Sequence, residues 1–184
     1  MKANIKNPVL LITSIVVLLW IIEILNIATG NHFGSYGILP RTVIGLRGIV
    51  LAPFIHHNIY HLVLNTVPFL ILGGLVRLRG LDDFIELSLF VMIVGGLCVW
   101  LVGRQAYHIG ASGLIFGYFG FLTAAGWYEK QFMSIIISLV VLFLYGGLFW
   151  GVLPIRPFVS WEGHLFGLLS GVACARMLRA SEKK

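Results

Sequence analysis

Seven polar side chains stand inside otherwise apolar stretches of this 184-residue chain: Glu23, His56, His57, His61, Asn65, Ser112 and His164. Polar groups at membrane depth are costly, and those that persist usually have a job. Two of them suggest a chemistry. A serine hydroxyl becomes a nucleophile when a neighbouring base takes its proton. Histidine, with an ordinary pKa of ~6.5, suits that task and can later hand the proton to a leaving amine. The glycines around Ser112, in Gly110-Ala111-Ser112-Gly113, leave room for a substrate carbonyl and let the backbone N–H point at it. A developing oxyanion needs donors already in place, each worth ~3–4 kcal/mol when removed. His61 and Asn65, four residues apart on one helical face, can add to the Ser112 N–H. The nearest carboxylate to His164 is Glu162, two positions away on another face, so the expected machinery is a Ser112–His164 dyad without an aspartate.

Competing readings of these residues are weaker. His56, His57 and His61 lack HExxH or any other zinc-ligand spacing, so a metal is not expected. His32 and His108 read as solvated loop residues. Glu23, near the outer end of the first apolar run, reads as pairing with a loop arginine or snorkelling to the interface, with no role assigned. Cys98 and Cys174 read as free thiols in apolar runs.

Such residues can meet only if helices bring them together. Hydrophobic residues make up 59% of the chain and charged ones 11%, with a mean hydropathy of +0.97. Soluble domains carry roughly a quarter charged residues, so a water-facing shell is excluded. The net charge of +6 is spread over loop ends, as membrane orientation requires, and nucleic acid is not an expected partner. Apolar runs of ~20 residues span a bilayer. The polar breaks predict six spans at 8–28, 55–76, 83–103, 110–128, 131–152 and 160–178, in a single domain covering 1–184. The first run is too long for a signal-peptide core and reads as a retained anchor. Residues 30–54 form one long connection, rich in glycine yet apolar enough to lie partly in the interface.

Lysine and arginine counts set the orientation. Lys2, Lys6, Arg77, Arg79, Lys130, Arg176, Arg179, Lys183 and Lys184 fall on one side, and Arg41, Arg47, Arg104 and Arg156 on the other. Both termini are therefore expected in the cytoplasm. At ~1.5 Å per residue, Ser112 lies ~26 Å above the inner end of the fourth span, His164 ~18–22 Å up the sixth, and His61 and Asn65 ~24 and ~18 Å up the second. Three spans thus place their polar residues in one layer of the outer half. Gly113/Gly117 and Gly167/Gly171 are small-xxx-small pairs that allow close helix approach, which predicts contact between the fourth and sixth spans.

Taken together, these motifs resemble those of the rhomboid intramembrane serine proteases. Gly110-Ala111-Ser112-Gly113 is similar to that family's serine motif at the top of the fourth span. His164, followed by Gly167 and Gly171, is similar to its histidine motif in the sixth. His56, His61 and Asn65 match the spacing of its second-span set, and Phe116 stands where an aromatic packs on the histidine. The resemblance covers about residues 40–175. It implies an all-α, six-helix membrane bundle with a half-submerged first loop and a fifth helix that gates entry. It also implies cleavage of single-pass membrane proteins near the outer face, through an acyl-enzyme and without a cofactor. Two departures stand out: Leu46-Arg47 is nearest to the family's first-loop Trp-Arg pair, and Gly163 replaces the usual alanine. Short loops point to a prokaryotic plasma membrane. The alternative is a catalytically silent relative that binds transmembrane clients.

Overall fold

The computed structural model describes residues 7–155 and 158–181. Lys2, Lys6, Arg156, Lys183 and Lys184 of the charge count lie outside them, as does the side chain of Arg179. Six long helices form the bundle: α1 (Pro8–Ala28), α2 (Ile59–Arg79), α3 (Leu81–Val102), α4 (Ser112–Glu129), α5 (Phe132–Val152) and α6 (Trp161–Ser181). Among the described residues every regular element is helical, with one isolated antiparallel bridge between Ile38 and His108. Helices α1, α2, α3 and α5 are long and apolar enough to cross a membrane. The chain is an integral membrane protein.

Helix ends follow local chemistry. Asn7 caps α1 by accepting the N–H groups of Val9 (3.0 Å) and Leu10 (3.3 Å), with Pro8 in the first helical position. Asn58 does the same for α2 through the His61 N–H at 2.9 Å. That cap starts α2 at Ile59 rather than at 55, so His56 and His57 precede the helix instead of riding on it. Within α2, Pro68 removes a backbone donor, and the next turn widens to a π-turn over Phe69–Gly73.

Helix α4 is the axis of the bundle. Its residues Leu114 to Leu122 are buried without a break, so that stretch has no lipid-facing side. It packs most extensively against α6, and glycine backbones make this possible. A Cβ on Gly167 would come under 3.0 Å from the Gly113 carbonyl, and one on Gly171 equally close to the Gly117 carbonyl. Gly117 in turn opens toward α3, where a Cβ would strike Val91. The glycines of α6 therefore sit on the carbonyls of α4, as small-xxx-small packing requires. By contrast α5 turns most of its large side chains outward, Phe132, Leu139, Phe143 and Leu144 among them. It is held to α4 by Ser138, whose hydroxyl donates to the Thr123 carbonyl at 2.7 Å.

The connection between α1 and α2 is folded. It contains a 3-10 turn at Phe33–Tyr36 and a short apolar helix at Ile44–Phe54. Arg47 stacks over the Tyr36 ring at 4.4 Å and donates to the Ser35 carbonyl at 3.0 Å. Arg41 caps the C-terminal end of α3 by donating to the Gly103 carbonyl at 2.8 Å. Trp100 of α3 donates to the Thr42 carbonyl at 2.8 Å, fastening the loop to the bundle.

Candidate active site

Ser112 opens α4, immediately after a sharp turn. Gly110 has φ +116°, a region that side-chain-bearing residues rarely adopt. Its N–H donates to the Ala52 carbonyl at 2.9 Å, which pins the turn to the loop. The first N–H groups of a helix have no intrahelical partner, and Ala111 offers no side-chain cap. Ser112 therefore stands at the end of α4 that carries free N–H groups and the positive end of the helix dipole.

His164 lies in the first turn of α6, 9% exposed. Its Nε2 is 2.9 Å from Ser112 Oγ, and its Nδ1 is 2.9 Å from the Gly151 carbonyl oxygen. A carbonyl can only accept, so Nδ1 carries the proton and Nε2 presents a lone pair to the serine O–H. That is the tautomer a general base needs. Phe116, one turn below Ser112, stacks flat on the imidazole, with centroids 4.1 Å apart and planes 6° apart. The ring is thus fixed from its edge by a backbone oxygen and from its face by an aromatic.

The second-helix residues come close from the other side. A Cβ on Gly110 would lie 2.7 Å from His61 Cε1, 2.9 Å from His61 Nε2 and 3.7 Å from Ser112 Oγ. His61 and the serine hydroxyl therefore converge on the same bare Cα. Asn65 is buried one turn along α2, its amide donating to the His61 carbonyl at 3.1 Å, and its second N–H is not committed to that bond. A cavity of about 60 Å³ opens beside Ser112, bounded by Val91, Met92, Gly95, Gly113, Gly163 and Gly167 among others.

Two sequence expectations need correction. His108 is not a solvated loop residue; it is 4% exposed. Its Nε2–H donates to the Arg104 carbonyl at 3.1 Å, so its Nδ1 accepts the Ser160 hydroxyl at 2.7 Å. Ser160 in turn accepts the Gly163 N–H at 3.2 Å. Burial pushes the His108 pKa below its ordinary value, opposed by the bond to the Arg104 carbonyl. Beside it Glu162 accepts the Arg104 backbone N–H at 3.2 Å and faces the guanidinium at 3.6 Å. The Arg104 side chain also donates to the Val159 carbonyl. This latch ties the loop before Ser112 to the start of α6, and it employs the one carboxylate near His164 elsewhere. Glu23, secondly, neither snorkels nor pairs with a loop arginine. It is fully buried and accepts from the Asn26 amide at 3.3 Å.

His56 is also buried, with its ring edge-on to His61 at 5.2 Å, while His57 and His32 are exposed. No group of three metal-ligating side chains occurs among the described residues. Cys98 and Cys174 are free thiols. The Gly151 carbonyl was beyond sequence reasoning, because a backbone acceptor leaves no residue-type mark. His108 and Ser160 carried a faint one, both being polar neighbours of the candidate residues in the chain.

Uncharacterised proteins of Mycobacterium tuberculosis and Mycobacterium bovis are each 41% identical over 182 residues, covering 94% of this chain and 76% of their own. A protein of Acanthamoeba polyphaga mimivirus that carries a rhomboid name is 26% identical over 131 residues, covering 66% of this chain and 69% of its own. Residues 45–181, which include both helices of the Ser112–His164 pair, match the Rhomboid domain, and the chain belongs to the rhomboid family.

Proposed function

We propose that this protein is an intramembrane serine endopeptidase that hydrolyses a peptide bond in or near the transmembrane segment of single-pass membrane proteins. The rhomboid family generally includes intramembrane serine proteases and also has inactive members. One observation favours activity here: Ser112 and His164 are in hydrogen-bonding contact at 2.9 Å, with the histidine tautomer set by the Gly151 carbonyl.

In this reading His164 Nε2 takes the Ser112 proton as Oγ attacks the scissile carbonyl. The tetrahedral oxyanion is met by the N–H groups that open α4 and by the Asn65 amide and His61. The imidazolium, stabilised by Gly151 O and Phe116, then protonates the leaving amine. Water, deprotonated by the same histidine, releases the second product from the Ser112 ester and restores both groups. The residues in hand complete this cycle without metal or cofactor. All six helices cross the bilayer, both termini lie in the cytoplasm, and the site opens to the outer side of a prokaryotic plasma membrane. Helix α5, which turns most of its large side chains outward, is the natural lateral entrance from lipid.

The test is reconstitution in liposomes with a panel of single-pass proteins. Fragments located by mass spectrometry at or near the transmembrane segment, absent with Ser112→Ala, are expected. Intact substrates throughout, with the native fold retained, support instead a silent relative that binds transmembrane clients.

A further inference from the structure

Among the described residues, two serine–histidine contacts join the segment that leads into α4 to the start of α6, each across 52 positions of chain. One is Ser112–His164. The other stands four residues earlier on both sides: His108 Nδ1 is 2.7 Å from Ser160 Oγ. Its members are held by backbone. His108 exchanges both main-chain hydrogen bonds with Ile38, at 2.9 and 3.0 Å. Its Nε2–H donates to the Arg104 carbonyl at 3.1 Å, which leaves Nδ1 as an acceptor. Ser160 immediately precedes α6. Its carbonyl accepts the His164 N–H at 3.1 Å and its hydroxyl oxygen accepts the Gly163 N–H at 3.2 Å, the pattern of a helix N-cap. The hydroxyl proton goes to His108. Gly163 leaves room for this arrangement, because a Cβ there would lie 2.8 Å from Ser160 Oγ. Any larger residue would turn the hydroxyl away from both partners.

We infer that His108 and Ser160 are positioning residues for the reacting pair: their bond fixes the N-cap of α6, and with it His164, in register with the segment that delivers Ser112. The nucleophile's segment is anchored to the first loop through Ile38, and the base's helix is anchored to that segment through His108. The 2.9 Å between Ser112 Oγ and His164 Nε2 is therefore set by a direct side-chain tie as well as by helix packing. Capping alone would give Ser160 a purely structural role. Glycine separates the two, being only slightly poorer than serine as an N-cap. Ser160→Gly thus deletes the bond to His108 while largely keeping the cap, and the Arg104–Glu162 contact still joins the same two segments. The inference rests on Ser112 and His164 being the reacting pair, but its first readout does not depend on activity.

That readout is the ¹⁵N spectrum of ring-labelled protein in detergent, with the His164 signals assigned through His164→Gln. In the native protein His164 Nε2 is expected to appear as a nitrogen that accepts a hydrogen bond. Ser160→Gly should shift it toward a bare nitrogen and slow fluorophosphonate labelling of Ser112 by ~10- to 100-fold, the scale of a ~1 Å misplacement. Ser160→Thr keeps the hydroxyl and should restore both. In substrate cleavage the loss should fall on kcat, with KM unchanged. His108→Ala should repeat the effect, and the double variant should be no slower than the slower single one, because both remove the same bond. A Ser160→Gly protein with a native signal or labelling rate overturns the inference. So do losses that multiply in the double variant, and so does an adduct on Ser160 itself. Should Ser160→Gly not fold, His108→Ala and Gly163→Ala decide on the same two readouts, a native result in either overturning it. Failure of native Ser112 to label at all would strike the proteolytic reading, leaving the spectral comparison to decide this inference separately.

Discussion

Replacing Gly167 with alanine probes the contact on which the dyad depends. The new Cβ would lie under 3.0 Å from the Gly113 carbonyl, a separation real Cβ atoms do not show, and ordinary contact begins at 3.4–4 Å. The atom it meets is backbone on the most buried helix of the bundle, so α6 must retreat. Gly167 is one turn after His164, and Gly113 adjoins Ser112, so the retreat passes directly into the 2.9 Å contact between Oγ and Nε2. N–H···O and O–H···N bonds fade beyond ~3.2 Å. Overpacking of this kind costs ~1–3 kcal/mol of stability, and loss of a general base costs ~10²- to 10⁴-fold in rate. Gly74→Ala in α2 is the control, because a Cβ there finds nothing within 4 Å. The assay combines thermal unfolding in detergent with fluorophosphonate labelling rates. Gly167→Ala is expected to melt lower and label at least ~100-fold more slowly, with Gly74→Ala near native in both. A Gly167→Ala protein with native melting and labelling would refute the claim that these backbones are in enforced contact.

Three further outcomes follow from the site. Asn65→Ala should lower kcat by ~10²- to 10³-fold with the fold intact, as for single oxyanion donors elsewhere; equal cleavage by the variant removes Asn65 from that role. The His108 pKa is depressed in the folded protein, so below about 6.5 the unfolded chain binds a proton that the folded one resists, and stability should fall as the pH drops through that range. His108→Gln should flatten this dependence in pH-resolved melting curves, and an unchanged slope would contradict the latch. The cavity beside Ser112, at about 60 Å³, is under half of the roughly 150 Å³ that accommodates benzene in an engineered core. Model substrates with alanine next to the scissile bond should therefore be cut far faster than those with phenylalanine, measured as kcat/KM; equal rates would show that the cavity seats no substrate side chain.

The meeting of Ser112 with His164 was readable from sequence because several local features agree. Glycines flank both residues, polar side chains share a depth, and Phe116 falls one turn from the serine. Helix ends were readable where polar breaks or caps such as Asn7 interrupt apolar runs, yet the start of α2 was misplaced because Asn58 caps it from within an apolar-looking stretch. Inward faces were harder to read. A helix between lipid and core is apolar all round, so the Ile12–Val16–Leu19–Glu23–Asn26 stripe carries no amphipathic contrast to expose it. The His108–Ser160 bond joins residues 52 positions apart, and the Gly151 carbonyl belongs to no side chain at all. What sequence reasoning lacks is therefore the groups around the Ser112–His164 contact, while the two side chains that meet announce themselves.

Fluorophosphonate labelling of the native protein, with the adduct located by peptide mass spectrometry, tests the central claim most directly. The account predicts a covalent adduct on Ser112, absent in Ser112→Ala and strongly reduced in His164→Ala. A native protein that stays unlabelled in detergent and in liposomes, or an adduct that persists in Ser112→Ala, would contradict it.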